Sequence, residues 1–153
     1  MNKQRLFILI AGLIGVASTF LPWVRIEIIG QLAMIMEGVD LSAGRSYAIA
    51  FVVIVVFSFL FERKQPIKGL NQLVVFFCGF FVLFAVIRDY FSLLENLKEL
   101  YNEENLDYMA VFVDKNFSWG LGIYLSAAAS AAIVVLAMLS GKFIETSEST
   151  ITT

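Results

Sequence analysis

Four stretches of this chain carry no charged residue at all: residues 6–24, 46–61, 69–87 and 119–141. A helix rises ~1.5 Å per residue and the hydrocarbon core of a bilayer is ~30 Å thick, so about 20 apolar residues suffice to cross it. The spacing predicts four transmembrane helices, with spans at about 6–24, 43–61, 69–88 and 119–140. The second reaches full length only when extended back across Gly44 and Arg45, with the Arg45 guanidinium snorkelling to the interface. Hydrophobic residues make up 59% and charged residues 16% of the 153, and the mean hydropathy is +0.83, outside the range of soluble domains. The expected fold class is a single-domain, all-α four-helix membrane bundle.

The first span follows the basic segment 1–5 and ends near small residues, as a secretory signal does. Its length favours a retained anchor. Orientation follows the basic residues of short loops. Lys3 and Arg5 precede the first span, and Arg63, Lys64 and Lys68 crowd the second loop beside one acid, Glu62. Both termini are therefore expected in the cytoplasm. The outer loops, 22–45 and 89–118, hold two basic against three acidic and two against seven acidic residues respectively. That acidic outer face argues against nucleic acid as a partner.

Period-2 alternation breaks in just beyond the first span. Val24, Ile26 and Ile28 alternate with Arg25 and Glu27, and Leu32, Met34 and Met36 alternate with Gln31, Ala33 and Ile35. With a turn at Gly30-Gln31, this predicts a β-hairpin on the outer surface. An isolated hairpin is marginal in water, so it must pack on helix ends, another strand or a partner. Beyond Ile87, Leu93, Leu94, Leu97, Leu100 and Tyr101 recur at helical spacing, so the third helix is expected to continue outside the bilayer. Residues 108–113, "YMAVFV", are expected as a third strand beside the hairpin. The polar tail from Lys142 has the composition of a short disordered terminus.

Gly122, Ser126 and Ser130 step by four along the last span, and Ala11, Gly12 and Gly15 supply small residues in the first. In lipid, small residues let helix backbones approach closely, so these six are expected where helices one and four meet, with a homo-oligomer face as the other use of the same stripe. The phenylalanines of spans two and three are expected to fill the bundle or face lipid.

The candidate chemistry is sparse. A lone Cys78 cannot form an intrachain disulfide and excludes a paired-thiol oxidoreductase, and the lack of histidine removes bis-His haem and most zinc sites. No ionisable residue lies at the middle of a span, where proton- or ion-coupled transport would need one, although a serine-lined oligomeric pore escapes that test. No nucleophile motif or phosphate loop is present. Glu37 and Asp40 have the chemistry of a cation site or an acid-base pair, and equally that of solvated acids, Asp40 turning the chain into helix two. Arg88-Asp89 is expected as an interfacial anchor pairing with Glu27 or Asp40. Pro22 ends a helix and Trp23 suits headgroup depth, with recognition as its other role. No enzyme activity, metal or cofactor is expected.

In layout, with a hairpin in the first outer loop, a long third helix and a strand in the second, the chain resembles the claudin-like tetraspan proteins. The segments "FLPWV", "GVDLSAG" and "WGLGIYL" are similar to those of small bacterial four-helix membrane proteins. Claudins carry Gly-Leu-Trp and two bonded cysteines in the first outer loop; here only Trp23 matches, so the resemblance implies the fold and not a tight-junction function. It implies a multi-pass protein of the bacterial inner membrane.

The expected function is that of an accessory or assembly subunit in the lipid bilayer that presents the hairpin and acidic loop to a membrane or extracytoplasmic protein partner. Trp23, Arg25, Glu27, Asp40 and Tyr108 are the candidate contact residues. The alternatives are an immunity protein against a membrane-inserting toxin and a transporter or channel component, separable by a neighbouring toxin gene and by flux in liposomes.

Overall fold

The computed structural model describes residues 1–28, 31–40, 44–60, 65–103 and 117–139. Within these, four helices and a three-stranded antiparallel sheet follow one another as α1 (Lys3–Thr19), β1 (Pro22–Ile28), β2 (Gln31–Glu37), α2 (Gly44–Leu60), α3 (Leu70–Glu103), β3 (Phe117–Trp119) and α4 (Leu121–Met138). A single 3-10 turn, Gly38–Asp40, joins β2 towards α2. The helices pack as a ring, each against the next and α4 back against α1. Two of them, over Leu70–Ser92 and Leu121–Met138, are long and apolar enough to cross a membrane, and Gly44–Phe59 is a shorter apolar helix.

Helix α1 begins where the Asn2 side chain accepts the Gln4 N–H at 2.9 Å, a capping arrangement. It ends earlier than expected from its apolar run. Ser18 and Thr19 turn their hydroxyls back onto the carbonyls of Gly15 and Val16, and Pro22 biases the residue before it away from helix. Residues 20–24, expected within the span, form a turn and the start of β1. Likewise Trp119 belongs to β3, and α4 starts two residues later than its expected span. Gly69 enters α3 with φ +61°, a conformation glycine adopts freely.

The hairpin pairs Arg25 with Ile35 and Ile26 with Met34. Two register shifts interrupt it. At one end Trp23 is the extra residue between the Pro22–Glu37 and Val24–Met36 pairs; at the other, Ala33 is extra between Met34 and Leu32. A bulge of this kind places two consecutive residues on one side of a strand, and both Trp23 and Val24 are buried. The third strand is Phe117–Trp119, pairing with β1 rather than β2, so the order is β2-β1-β3. The expected strand at 108–113 lies outside the described residues, as does the tail.

The core follows the ring. Ile8 and Ala11 of α1, Tyr47, Phe51 and Ile54 of α2, Val75, Val82 and Val86 of α3, and Ile123, Ala129 and Ile133 of α4 are buried together with Trp23 and Val24. Cys78 is half-buried against this cluster. The outward faces are also apolar: Phe77, Phe80, Phe81 and Phe84 along α3, and Leu121, Tyr124, Val135 and Met138 along α4, are exposed.

Candidate functional site

Trp23 organises the end of the helix ring that carries the sheet. Its indole N–H donates to the Ser18 carbonyl at 2.9 Å, one of the last carbonyls of α1, which also accepts the Leu21 N–H at 3.3 Å. Its ring stacks on Tyr47 of α2, with centroids 5.7 Å apart and planes 10° apart. The Tyr47 hydroxyl donates to Asp89 of α3, and Asp89 is held from the other side by Arg88 at 2.7 Å. One connected chain of contacts thus runs from α1 through β1 and α2 to α3. On the far side of the sheet's anchor, Tyr90 of α3 stacks on Trp119 of β3 at 4.4 Å.

Glycines make room for this arrangement. A Cβ on Gly38 would come within 2.5 Å of the Trp23 indole nitrogen, and one on Gly122 within 2.5 Å of the ring and 2.7 Å of the Ser18 carbonyl. A Cβ on Gly44 would run into the Gly38 carbonyl, and one on Gly120 into that of Pro22. The Gly120 N–H also donates to the Trp23 carbonyl at 2.8 Å. The spaced glycines of "GVDLSAG" and "WGLG" therefore form a cradle for Trp23, which their spacing alone did not reveal.

Trp23, a candidate for recognition, is fully enclosed and offers no surface to a partner. Packing explains this: the bulge swings it inward with Val24. Arg25, the next residue, points the other way and is exposed. It forms one row across the sheet with exposed Ile35 and Ser118, its neighbours on β2 and β3. The reverse face holds Val24, Met36 and Trp119 against the core. Asp40 is exposed and its carboxylate accepts the Glu37 N–H at 3.0 Å across the 3-10 turn, the local turn role. Arg88 and Asp89 pair with one another and with Tyr47, where Glu27 or Asp40 was expected. The Glu27 side chain and all of Tyr108 lie outside the described residues.

The small residues of the helices divide differently from expectation. Helices α1 and α4 do pack together, and Gly122, Ser126 and Ser130 are buried. Gly12 and Gly15, however, face α2: an added Cβ would come within 2.9 Å of Val55 on the first and strike the Phe51 ring on the second. Ala11 lies on the α4 side, flooring an apolar groove of about 590 Å³ with Phe7, Ile10, Ile14, Ala131 and Ala132. Gly79, not singled out in the sequence, brings α3 within 2.9 Å of Ile133 by the same measure.

The opposite end of the ring is closed by polar side chains that periodicity does not flag. Gln4 is fully buried, donating to the Leu136 carbonyl at 2.7 Å and accepting the Ile67 N–H at 3.1 Å. Arg5, also buried, donates to the Gln65 carbonyl at 2.6 Å. Gln72 donates to the Ala137 carbonyl at 2.9 Å. Lys3 and Arg5, expected before the first helix, lie within its first turn. Among the described residues no three His, Cys, Asp or Glu side chains converge as metal ligands would.

No family model, no curated protein and no solved structure matches this chain.

Proposed function

We propose that this is a non-catalytic, four-span protein of the bacterial inner membrane, claudin-like in layout, with both termini in the cytoplasm. In this reading it serves as an accessory or assembly subunit whose outer sheet docks an extracytoplasmic or membrane partner. The observation that carries the proposal is the row Ile35–Arg25–Ser118: a bulky aliphatic side chain, 43% exposed, beside a cation on a sheet whose other face is anchored by Val24 and Trp119. Such a surface, mixed in polarity, suits a docking face. A pull-down in mild detergent compares the native chain with Arg25→Ala/Glu27→Ala and with Ile35→Asp. A stoichiometric partner lost from both variants is the expected result; an unchanged partner set, or lipid and detergent alone, overturns it.

The groove between α1 and α4 favours a second reading, an immunity protein that engages a toxin helix within the bilayer. Its small floor residues permit close helix approach. Ala132→Phe would fill the groove and abolish protection against such a toxin while leaving sheet-dependent capture intact.

A further inference from the structure

The buried polar side chains that bond one element to another fall in two layers, one at each end of the helix ring, while buried Ser126 and Ser130 lie between them on α4, Ser130 bonding within its own helix. The first comprises Gln4, the Gln65 and Ile67 backbone, Gln72 and the carbonyls of Leu136 and Ala137. The second comprises the Ser18 carbonyl, Trp23, Tyr47 and Asp89. Along α1, Gln4 and Ser18 are separated by about 21 Å at ~1.5 Å per residue, and along α4, Gly122 and Ala137 by about 22 Å. An ordinary hydrocarbon core is ~30 Å thick.

The lipid-facing surface repeats the shortfall, but on one side only. Along α1 and its C-cap the exposed large apolar residues between Lys3 and the sheet run from Leu6 to Phe20, about 21 Å, with exposed Lys3 and then Met1 beyond them. On α2 they start at Ile49, because Arg45 and Ser46 are exposed in the first turn. On α3 they run from Leu70 to Phe91, interrupted by exposed Arg88, about 31 Å.

Taking the membrane reading above as its basis, we propose that the α1–α2 edge binds a bilayer several ångströms thinner than average, so that the protein selects short-chain lipid or thins the membrane along that edge. The partner is the acyl layer itself. A stretch shorter than the hydrocarbon thickness is accommodated by bilayer thinning and by snorkelling of flanking cations, here Lys3 and Arg45, and each ångström of mismatch carries a cost.

The full chain is reconstituted in monounsaturated phosphatidylcholines of about 14 to about 22 carbons, and its thermal midpoint is measured in each. The midpoint is expected to peak at about 16 carbons or fewer, to move to longer chains in Arg45→Leu/Ser46→Leu, which adds about one apolar turn to α2, and to move to shorter chains in Phe20→Asn. A peak at 18 carbons or longer, a flat profile, or an optimum that neither variant shifts overturns the proposal. Protein that alkaline carbonate extracts from every vesicle instead overturns the membrane reading itself, which inserted protein with a long-chain optimum does not.

Discussion

The Trp23 and Tyr47 rings lie face to face, 5.7 Å apart at their centroids, and each is fully buried. One comes from the first strand and the other from the second helix, so the stack fixes the sheet to the helices. Trp23→Ala deletes the ring and leaves a cavity, for which a loss of about 3 to 5 kcal/mol is expected. Trp23→Phe keeps an aromatic face but leaves the Ser18 carbonyl with only the longer bond from the Leu21 N–H, for a loss of about 0.5 to 1.5 kcal/mol. Denaturant unfolding followed by circular dichroism, in one detergent throughout, ranks the two; equal losses would mean the ring contributes no packing.

The glycine cradle makes a second expectation. Gly122→Ala pushes a methyl into the indole, and overpacking of this kind costs about 1 to 3 kcal/mol. Part of that loss should return in Gly122→Ala/Trp23→Phe, where the smaller ring vacates the space, and a double-mutant cycle measures the coupling. Strict additivity would show that the two residues do not share this space. Gly44→Ala meets backbone rather than a side chain and should be the least tolerated change of the set.

The contact between α2 and α3 depends on a hydroxyl. Tyr47→Phe removes the donor to Asp89 while Arg88 still pairs with it, so the loss should be about 1 kcal/mol. Asp89→Ala removes the partner of both Tyr47 and Arg88 and should cost more. The same unfolding experiment orders them, and a larger loss in Tyr47→Phe would contradict the arrangement described.

At the other end, Gln4→Leu deletes a side chain that joins α1 to α4 and to the segment before α3. It strands the part-buried Leu136 carbonyl and the buried Ile67 N–H, and a loss of about 2 to 4 kcal/mol is expected. Hydrogen exchange at Ile67 reports the effect directly: its amide should lose protection in the variant before the rest of the chain does.

Much of this arrangement is legible in the sequence where a short period controls it. The alternation around Arg25 gives the hairpin, and the leucines beyond Ile87 give the continuation of α3 to Glu103. What is not legible depends on partners far along the chain. The alternation from Val24 gives no sign that Trp23 bulges inward, since the space it enters is made by Gly38, Gly44, Gly120 and Gly122. Residues 117–119 look like the approach to a helix, because a three-residue strand has no period to detect and its partner is β1, nearly a hundred residues earlier. Gly12 and Gly15 signal close approach but carry no information about which helix arrives. Gln4 and Arg5 look like a solvated, orienting terminus; their burial follows only once the carbonyls of Gln65 and Leu136 are brought to them.

The cradle around Trp23 also sets an order of events during synthesis. Gly120 and Gly122, which close it, leave the ribosome about a hundred residues after the indole they cover, and domains form largely in the order they emerge. Until then the first strand has neither its β3 neighbour nor a lid, and Trp23 lacks the contacts that enclose it. The half-made chain therefore exposes an aromatic ring that the finished protein withdraws, so that concealment of a single tryptophan marks the moment at which assembly is complete.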